Sequence, residues 1–474
     1  MATIIKADGF IESEAYEYDA SLKDVVIPDN VTRIGRYAFS GCSNLSRILH
    51  NSTDSSTGKA RMVPGLPQGV KKIEQYAFND CVSLKQMRIP DGVTTIETCT
   101  FKNCISLSEI QFPDSLTCID YSAFEGCVGL TEIHVPNGVT TIGYGAFSNC
   151  TRLKKVYLPE SVTVIKPSAF RGCSLLTEIQ IPSSVTVIGD SAFNGCTCLK
   201  KVHIPDSVTT IGAGAFGGCT LLKSIHIPDS VRTIGKGAFG GCILLTDIHI
   251  PYGVTEIGGF EGCIRLNHVH IPDSVTRVGN SAFEGCLGLT EIHIPDGVTV
   301  IGDSAFRRCF RLKRVHIPAS VTEIGEDAFS GCLGLKTIRL PEVLPVIEDR
   351  TFEGCIGLTK IVFPEHLTAI GRYAFANCCG LTDLQLPDSI SDIGEHAFEN
   401  CEGLLDIHLP YELTTINEYT FSRCKRLTVV SIPDKVRLIK DWAFYECSGI
   451  KRVWINGKET IEDKAFLYWQ TNND

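Results

Sequence analysis

The sequence predicts a right-handed repeat solenoid in which one unit of 23 residues is copied and stacked. Three observations carry this. Phe recurs at 78, 101, 124, 147, 170, 193, 216 and 239, then from 260 at the same interval to 444 after one shortened unit. Around each Phe the same segment returns: LKKVHIPDSVTTIGAGAFGGC from Leu199 to Cys219, LKSIHIPDSVRTIGKGAFGGC from Leu222 to Cys242, LTEIHIPDGVTVIGDSAFRRC from Leu289 to Cys309. Cys follows three residues after the Phe in 18 units, from Cys42 to Cys447. A fixed period in the twenties marks a solenoid, because no single unit can bury its own apolar face and only stacking closes the core.

Within a unit each element has its own reason. In Leu130-x-x-Ile133-x-Val135-Pro136 the apolar residues alternate with polar ones, which is strand geometry, and Pro ends the strand for want of an N–H. A second alternating run follows, Val139-Thr140-Thr141-Ile142. The x-x-A-F-x-x-C segment after it has room for one helical turn. Two residues after the Phe the Cys-bearing units carry Gly ten times, Asn four times and Asp once, with Arg308, Arg423 and Glu446 as exceptions. The first three types accept the left-handed conformation that closes such a turn.

Along the chain, residues 1–21 fit no unit and read as an N-terminal cap; the solenoid runs over 22–466 as about 19 units. Asn51 to Leu66, NSTDSSTGKARMVPGL, interrupts the phase as a polar surface loop. Two residues are missing before Phe260, so the unit near 258–260 should have a tightened turn and an unchanged strand. Residues 467–474 are a C-terminal cap and tail, with Tyr468 and Trp469 placed to cover the last core layer.

Composition narrows the function. With 44 basic and 54 acidic residues the net charge is −10, and no Lys/Arg run appears, which excludes nucleic acid as the main partner. No stretch approaches a membrane-spanning length, so membrane insertion is not expected, and a monomer is. The start, MATIIKADGFIESEAYEYD, has no apolar leader, and the expectation drawn from it is a cytoplasmic or otherwise intracellular location. Of the 22 cysteines, 18 share one column where a small buried hydrophobe belongs, so free thiols are expected. Cys196-x-Cys198 and Cys378-Cys379 lack the second pair of a zinc site.

The pattern L-x-x-I-x-I-P-x-x-V-T-x-I-G-x-x-A-F-x-x-C resembles the BspA-like, or treponemal-type, leucine-rich repeat family over about residues 22–466, with Thr100, Thr351 and Thr420 in place of Ala and Gly259 in the shortened unit. The resemblance implies a leucine-rich-repeat horseshoe with a parallel concave β-sheet, short second strands and single helical turns on the outer side, used for protein binding. Many members resemble cell-surface adhesins. The reading is therefore a non-catalytic scaffold for a protein partner, without cofactor or metal; the alternative is an adhesin for host or matrix proteins, exported unconventionally.

The two polar positions of L-x-x-I-x-I should face the concave surface. There His recurs in six consecutive units, at His203, His226, His249, His270, His293 and His316. With Lys201, Asp247, His268, Glu291 and Arg314 beside them, these are the candidate partner-binding residues. Three readings stand: a solvated remnant of duplication, the centre of a binding face, or metal chelation by neighbouring imidazoles. Gly212-x-Gly214-x-x-Gly217 and its copy at Gly235 fit a dinucleotide motif, but the helix that site needs is missing. No H-E-x-x-H, G-x-S-x-G or P-loop appears, and catalysis is not expected.

Overall fold

Most coils of the chain open with a three-residue strand whose middle side chain turns inward, as Glu132–His134 does with Ile133 buried between two exposed neighbours. The computed structural model describes residues 2–53, 60–455 and 458–460. Contacts divide it into two units, Met1–Ile243 and Leu244–Asp474. Both are parallel β-solenoids of 23-residue coils, in which residue i of one coil pairs with i + 23 of the next.

In the N-terminal unit the first strands join two by two, Glu132–His134 with Lys155–Tyr157 and Glu178–Gln180 with Lys201–His203. The two-residue second strands run on as one seven-stranded parallel sheet from Thr95–Ile96 to Thr233–Ile234. The C-terminal unit repeats the plan: Asp247–His249 pairs with His268–His270 and Glu291–His293 with Arg314–His316. The two residues missing before Phe260 shorten the step from Asp247 to His268, yet the strands stay in register, and Gly259 turns the chain with φ +97°.

The expected helical turn is corrected: no helix occurs among the described residues. Between the second strand and the Cys, backbone amides alternate. In the coil at 122–127, Ala123, Glu125 and Cys127 donate back three residues within their own coil. Ser122, Phe124 and Gly126 donate to Tyr144, Ala146 and Ser148 of the next. A helix would claim every amide for itself and leave the adjacent coil unpaired. Two residues per coil hold this zigzag at positive φ. One is the position two after the Phe, left-handed in all 18 units, including Arg308, Arg423 and Glu446. The other precedes the Ala, as Ser122 does with φ 50°; Gly145, Gly214 and Gly237 hold it in three coils, but Ser, Tyr and other side chains hold most of the rest, so its residue types carry a weaker left-handed signal.

The Phe rings form the spine. Within each unit consecutive rings lie 5.3–5.8 Å apart, nearly parallel, with Phe147, Phe170 and Phe193 as successive neighbours. Beside them the cysteines make a second column. All 22 are free. Column thiols donate to the Phe carbonyl one coil back, as Cys150 Sγ does to Phe124 O at 3.2 Å and Cys309 Sγ to Phe283 O at 3.2 Å. Each of these carbonyls also takes the amide of its own coil's Cys, so both lone pairs are used. Burial pushes the Cys150 and Cys309 thiols up to about 12.

The ends are built from the same geometry. Residues 2–20 form an extra coil: Thr3–Ile4 pairs with Asp24–Val26, Phe10–Ile11 with Arg33–Ile34, and the Tyr16 ring stacks on Phe39 at 5.4 Å. The 51–66 insertion, expected as a polar surface loop, is anchored by an antiparallel hairpin of Arg47–Thr53 with Ala60–Pro64. At the far end Lys458–Thr460 folds back antiparallel on Arg452–Ile455. The expected Tyr468–Trp469 cover lies outside the described residues.

Two outcomes follow from this packing. Native alkylation at pH 8 should label Cys198 and Cys379, which are partly exposed, then more slowly Cys118, whose thiol burial raises. The column thiols should react only on unfolding, read by peptide mass spectrometry; equal labelling of Cys150 or Cys309 in the native protein would contradict the thiol column. Arg308→Gly should relieve left-handed strain and stabilise the protein by about 0.5–1 kcal/mol, after the greater flexibility of Gly in the unfolded chain is deducted. The check is a denaturation midpoint that rises.

Candidate functional site

The positions flanking each buried strand centre face solvent, so the first strands present two parallel rows of side chains. Strand spacing sets the step between members of a row at about 4.8 Å. All eleven candidate residues are exposed on these rows. Lys201 and His203 flank Val202 in the N-terminal unit, and His226 lies one coil on, beyond the last residue assigned to a first strand. In the C-terminal unit Asp247, His249, His268, His270, Glu291, His293, Arg314 and His316 occupy four successive strands.

The two units use the rows differently. In the N-terminal unit a groove of 830 Å³ crosses four coils, lined by Lys155, Tyr157, Glu178, Gln180, Lys201, His203, Ser224 and His226 with the strand centres as its floor. The ring of Tyr157, 46% exposed, stacks on His134 at 4.3 Å, and His134 Nε2 meets Glu132 Oε1 at 2.5 Å. One row reads Glu132, Lys155, Glu178, Lys201, an alternation of charge without an ion pair between these strands among the described residues. With Glu132 engaged by His134, the Lys155, Glu178 and Lys201 charges remain available to a ligand.

In the C-terminal unit the histidines come together in pairs. His249 and His270 lie 4.8 Å apart with rings tilted by 33°, and His293 and His316 stack at 6.3 Å. Arg314 bridges to Glu291 at 2.5 Å. That pair is well exposed, so it orients the two side chains more than it stabilises the fold. No group of three or more His, Cys, Asp or Glu is placed to hold a metal among the described residues. No helix among them is long and apolar enough to cross a membrane.

The groove's other lining residues went unselected because only the recurring His was followed; the polar row itself, read for Tyr157 and the alternating charges, held the signal. A second row was missed altogether. The position before the Ala carries Arg350, Tyr373, His396, Tyr419 and Trp442 in successive coils. Arg350 sits over Tyr373 at 4.5 Å, Tyr373 stacks on His396 at 4.4 Å, His396 on Tyr419 at 4.6 Å and Tyr419 on Trp442 at 6.2 Å. Reading one column at a 23-residue interval would have found it. Its ring faces are covered by one another, so it braces the stack and offers only ring edges.

The model of the BspA type leucine rich repeat region matches residues 9–60, 65–177, 165–288, 259–381 and 368–473. Among solved structures, a leucine-rich repeat protein from Bacteroides ovatus is 30% identical with a TM-score of 0.60, over 78% of this chain and 92% of that one. A leucine rich cell surface protein from Faecalibacterium prausnitzii is 28% identical with a TM-score of 0.42, over 76% and 87%. No curated protein matches the chain. The family corrects the expected intracellular location: BspA-like leucine-rich repeat homologues are cell-surface proteins of bacteria, and the lack of an apolar leader in this sequence is no evidence about export. The chain belongs to the BspA type leucine-rich repeat family.

Proposed function

We propose that this chain is a non-catalytic scaffold displayed at a bacterial cell surface, where its first-strand rows bind an extracellular protein as an adhesin does. The observation that carries the reading is the groove over the strands from Lys155–Tyr157 to residues 224–226, in which alternating charge, an exposed Tyr and two imidazoles stand on a rigid floor. Such an area suits a macromolecular surface, with Tyr157 as the aromatic anchor and the charged row setting register. The residues common to every coil build the spine, which leaves recognition to those that differ from coil to coil. Family membership supports both the interaction role and the surface location.

The test is binding of the full chain to a panel of purified host extracellular-matrix proteins, with protease shaving of intact source cells to read location. The triple variant Tyr157→Ala/Lys201→Ala/His203→Ala should keep its melting profile and lose at least tenfold in affinity for the ligand found, as expected when an interface centre is removed. His249→Ala/His270→Ala/His293→Ala should lose less if the groove is the centre. No ligand in the panel, or wild-type affinity in the first variant, would overturn the reading.

A further inference from the structure

Away from the first strands, one position of the coil breaks the rule that exposed residues are polar. Immediately after the column Cys, and four residues before the next first strand, the C-terminal unit carries Ile264, Leu287, Phe310, Leu333 and Ile356 in five successive coils. Ile264 is 39% exposed, Phe310 41%, Leu333 37% and Ile356 50%, with Leu287 half-buried. Each backbone amide there bonds to the carbonyl two residues back, at 2.8–2.9 Å, so the five side chains leave the coil in the same way. They form an unbroken apolar stripe.

In the N-terminal unit this position is mixed: Val82, Ile105, Val128 and Ile243 are apolar, with Ile105 48% and Ile243 38% exposed, while four successive coils between them are polar. Those four are Thr151, Ser174, Thr197 and Thr220, and the last three donate their hydroxyls to the carbonyl of the same position one coil back, at 3.1–3.2 Å. Polar residues thus fit the site and add a hydrogen-bonded ladder. A run of five large apolar residues in their place gives up that ladder and exposes a contiguous patch, which marks an interaction surface.

The flanks of the stripe differ in charge. On the side of the Phe, Arg307 is paired with Glu284 and Asp327 and Glu353 with Arg350, and the one exposed arginine there without an ion pair among the described residues is Arg308. On the side of the first strand Arg265, Arg311, Lys313 and Lys336 are exposed, and none pairs with a carboxylate among the described residues. The stripe is therefore an apolar track with one basic rim.

We infer that this stripe docks an amphipathic α-helix of a partner protein, lying along the coil stack with acidic residues toward the basic rim. Spacing selects the helix. Coils recur about every 4.8 Å and a helix brings one face around every 5.4 Å, a difference a modest incline absorbs. A strand repeats its face every 6.6–6.8 Å or so and loses step within two coils. Five coils span about 19 Å, the length of roughly 13–14 helical residues. Side chains of about 200 Å² exposed to this degree offer about 400 Å², half the ~800 Å² per partner of a stable dimer, so a second copy of this chain is the poorer occupant.

The probe is a fluorescein-labelled 18-residue peptide with Leu on one helical face and Glu along its flanks, against a scrambled peptide of equal composition. Binding to the full chain is expected by anisotropy for the ordered peptide alone. Ile264→Thr/Phe310→Thr/Leu333→Thr/Ile356→Thr should lower its affinity at least tenfold, while circular dichroism shows the fold intact, since Thr already occupies this position in other coils. Lys313→Glu/Lys336→Glu should weaken binding about threefold or more and flatten its salt dependence. Variants of the first-strand groove should leave it unchanged. Absence of binding, equal binding of the scrambled peptide, no loss in the Thr variant, or a stripe-dependent dimer in light scattering would each overturn the proposal.

Discussion

Everything in this structure depends on how the turn between second strand and Cys divides its amides. Half close the coil and half reach the next, and neither set suffices alone. This division keeps successive coils in register, brings the Phe rings to 5.3–5.8 Å of one another and carries each column thiol to a carbonyl one coil back. The left-handed residues on either side of the A-F step are its geometric condition, which is why even Arg308 and Arg423 accept a conformation that costs them energy.

Such a stack changes what a cysteine is for. In the column the thiol is a small apolar volume with a weak donor at the right reach, and burial holds it protonated. Thiolate chemistry is thereby suppressed, and a chain with 22 cysteines keeps them free. Oxygen in place of sulfur would have a shorter bond to carbon and would set the donor further from the same carbonyl.

Register also explains why recognition in this fold is written in rows. A position repeated in every coil becomes a line of side chains at coil spacing, and whether that line is polar, charged, aromatic or apolar decides its use. The alternating row with Tyr157 lines a groove, and the Ile264–Ile356 line makes an apolar track. The row from Arg350 to Trp442 stacks against itself and braces the end of the chain. The same geometry gives three outcomes because the chemistry of the row differs.

Much of this was legible in the residues. The 23-residue interval, the inward strand centres, the Phe spine, the free thiol column and the left-handed position after the Phe all follow from periodicity and residue type, since every copy repeats the same local constraint. Membership in the family followed from the same motif. What the sequence left undecided concerns competition between coils. The expected helical turn gave way because amides that local propensity assigns to a helix bond more favourably to a neighbour 23 residues away. The second left-handed position escaped notice because Ser122, Tyr373 and His396 are placed there by inter-coil bonding and stacking against their own preference. The groove was legible only in part: its polar row with Tyr157 and the alternating charges stands in the sequence, while its depth does not. The His repeat showed which face is exposed, and the three-dimensional neighbours of Tyr157 and Lys201 decided where that face is hollowed into a groove.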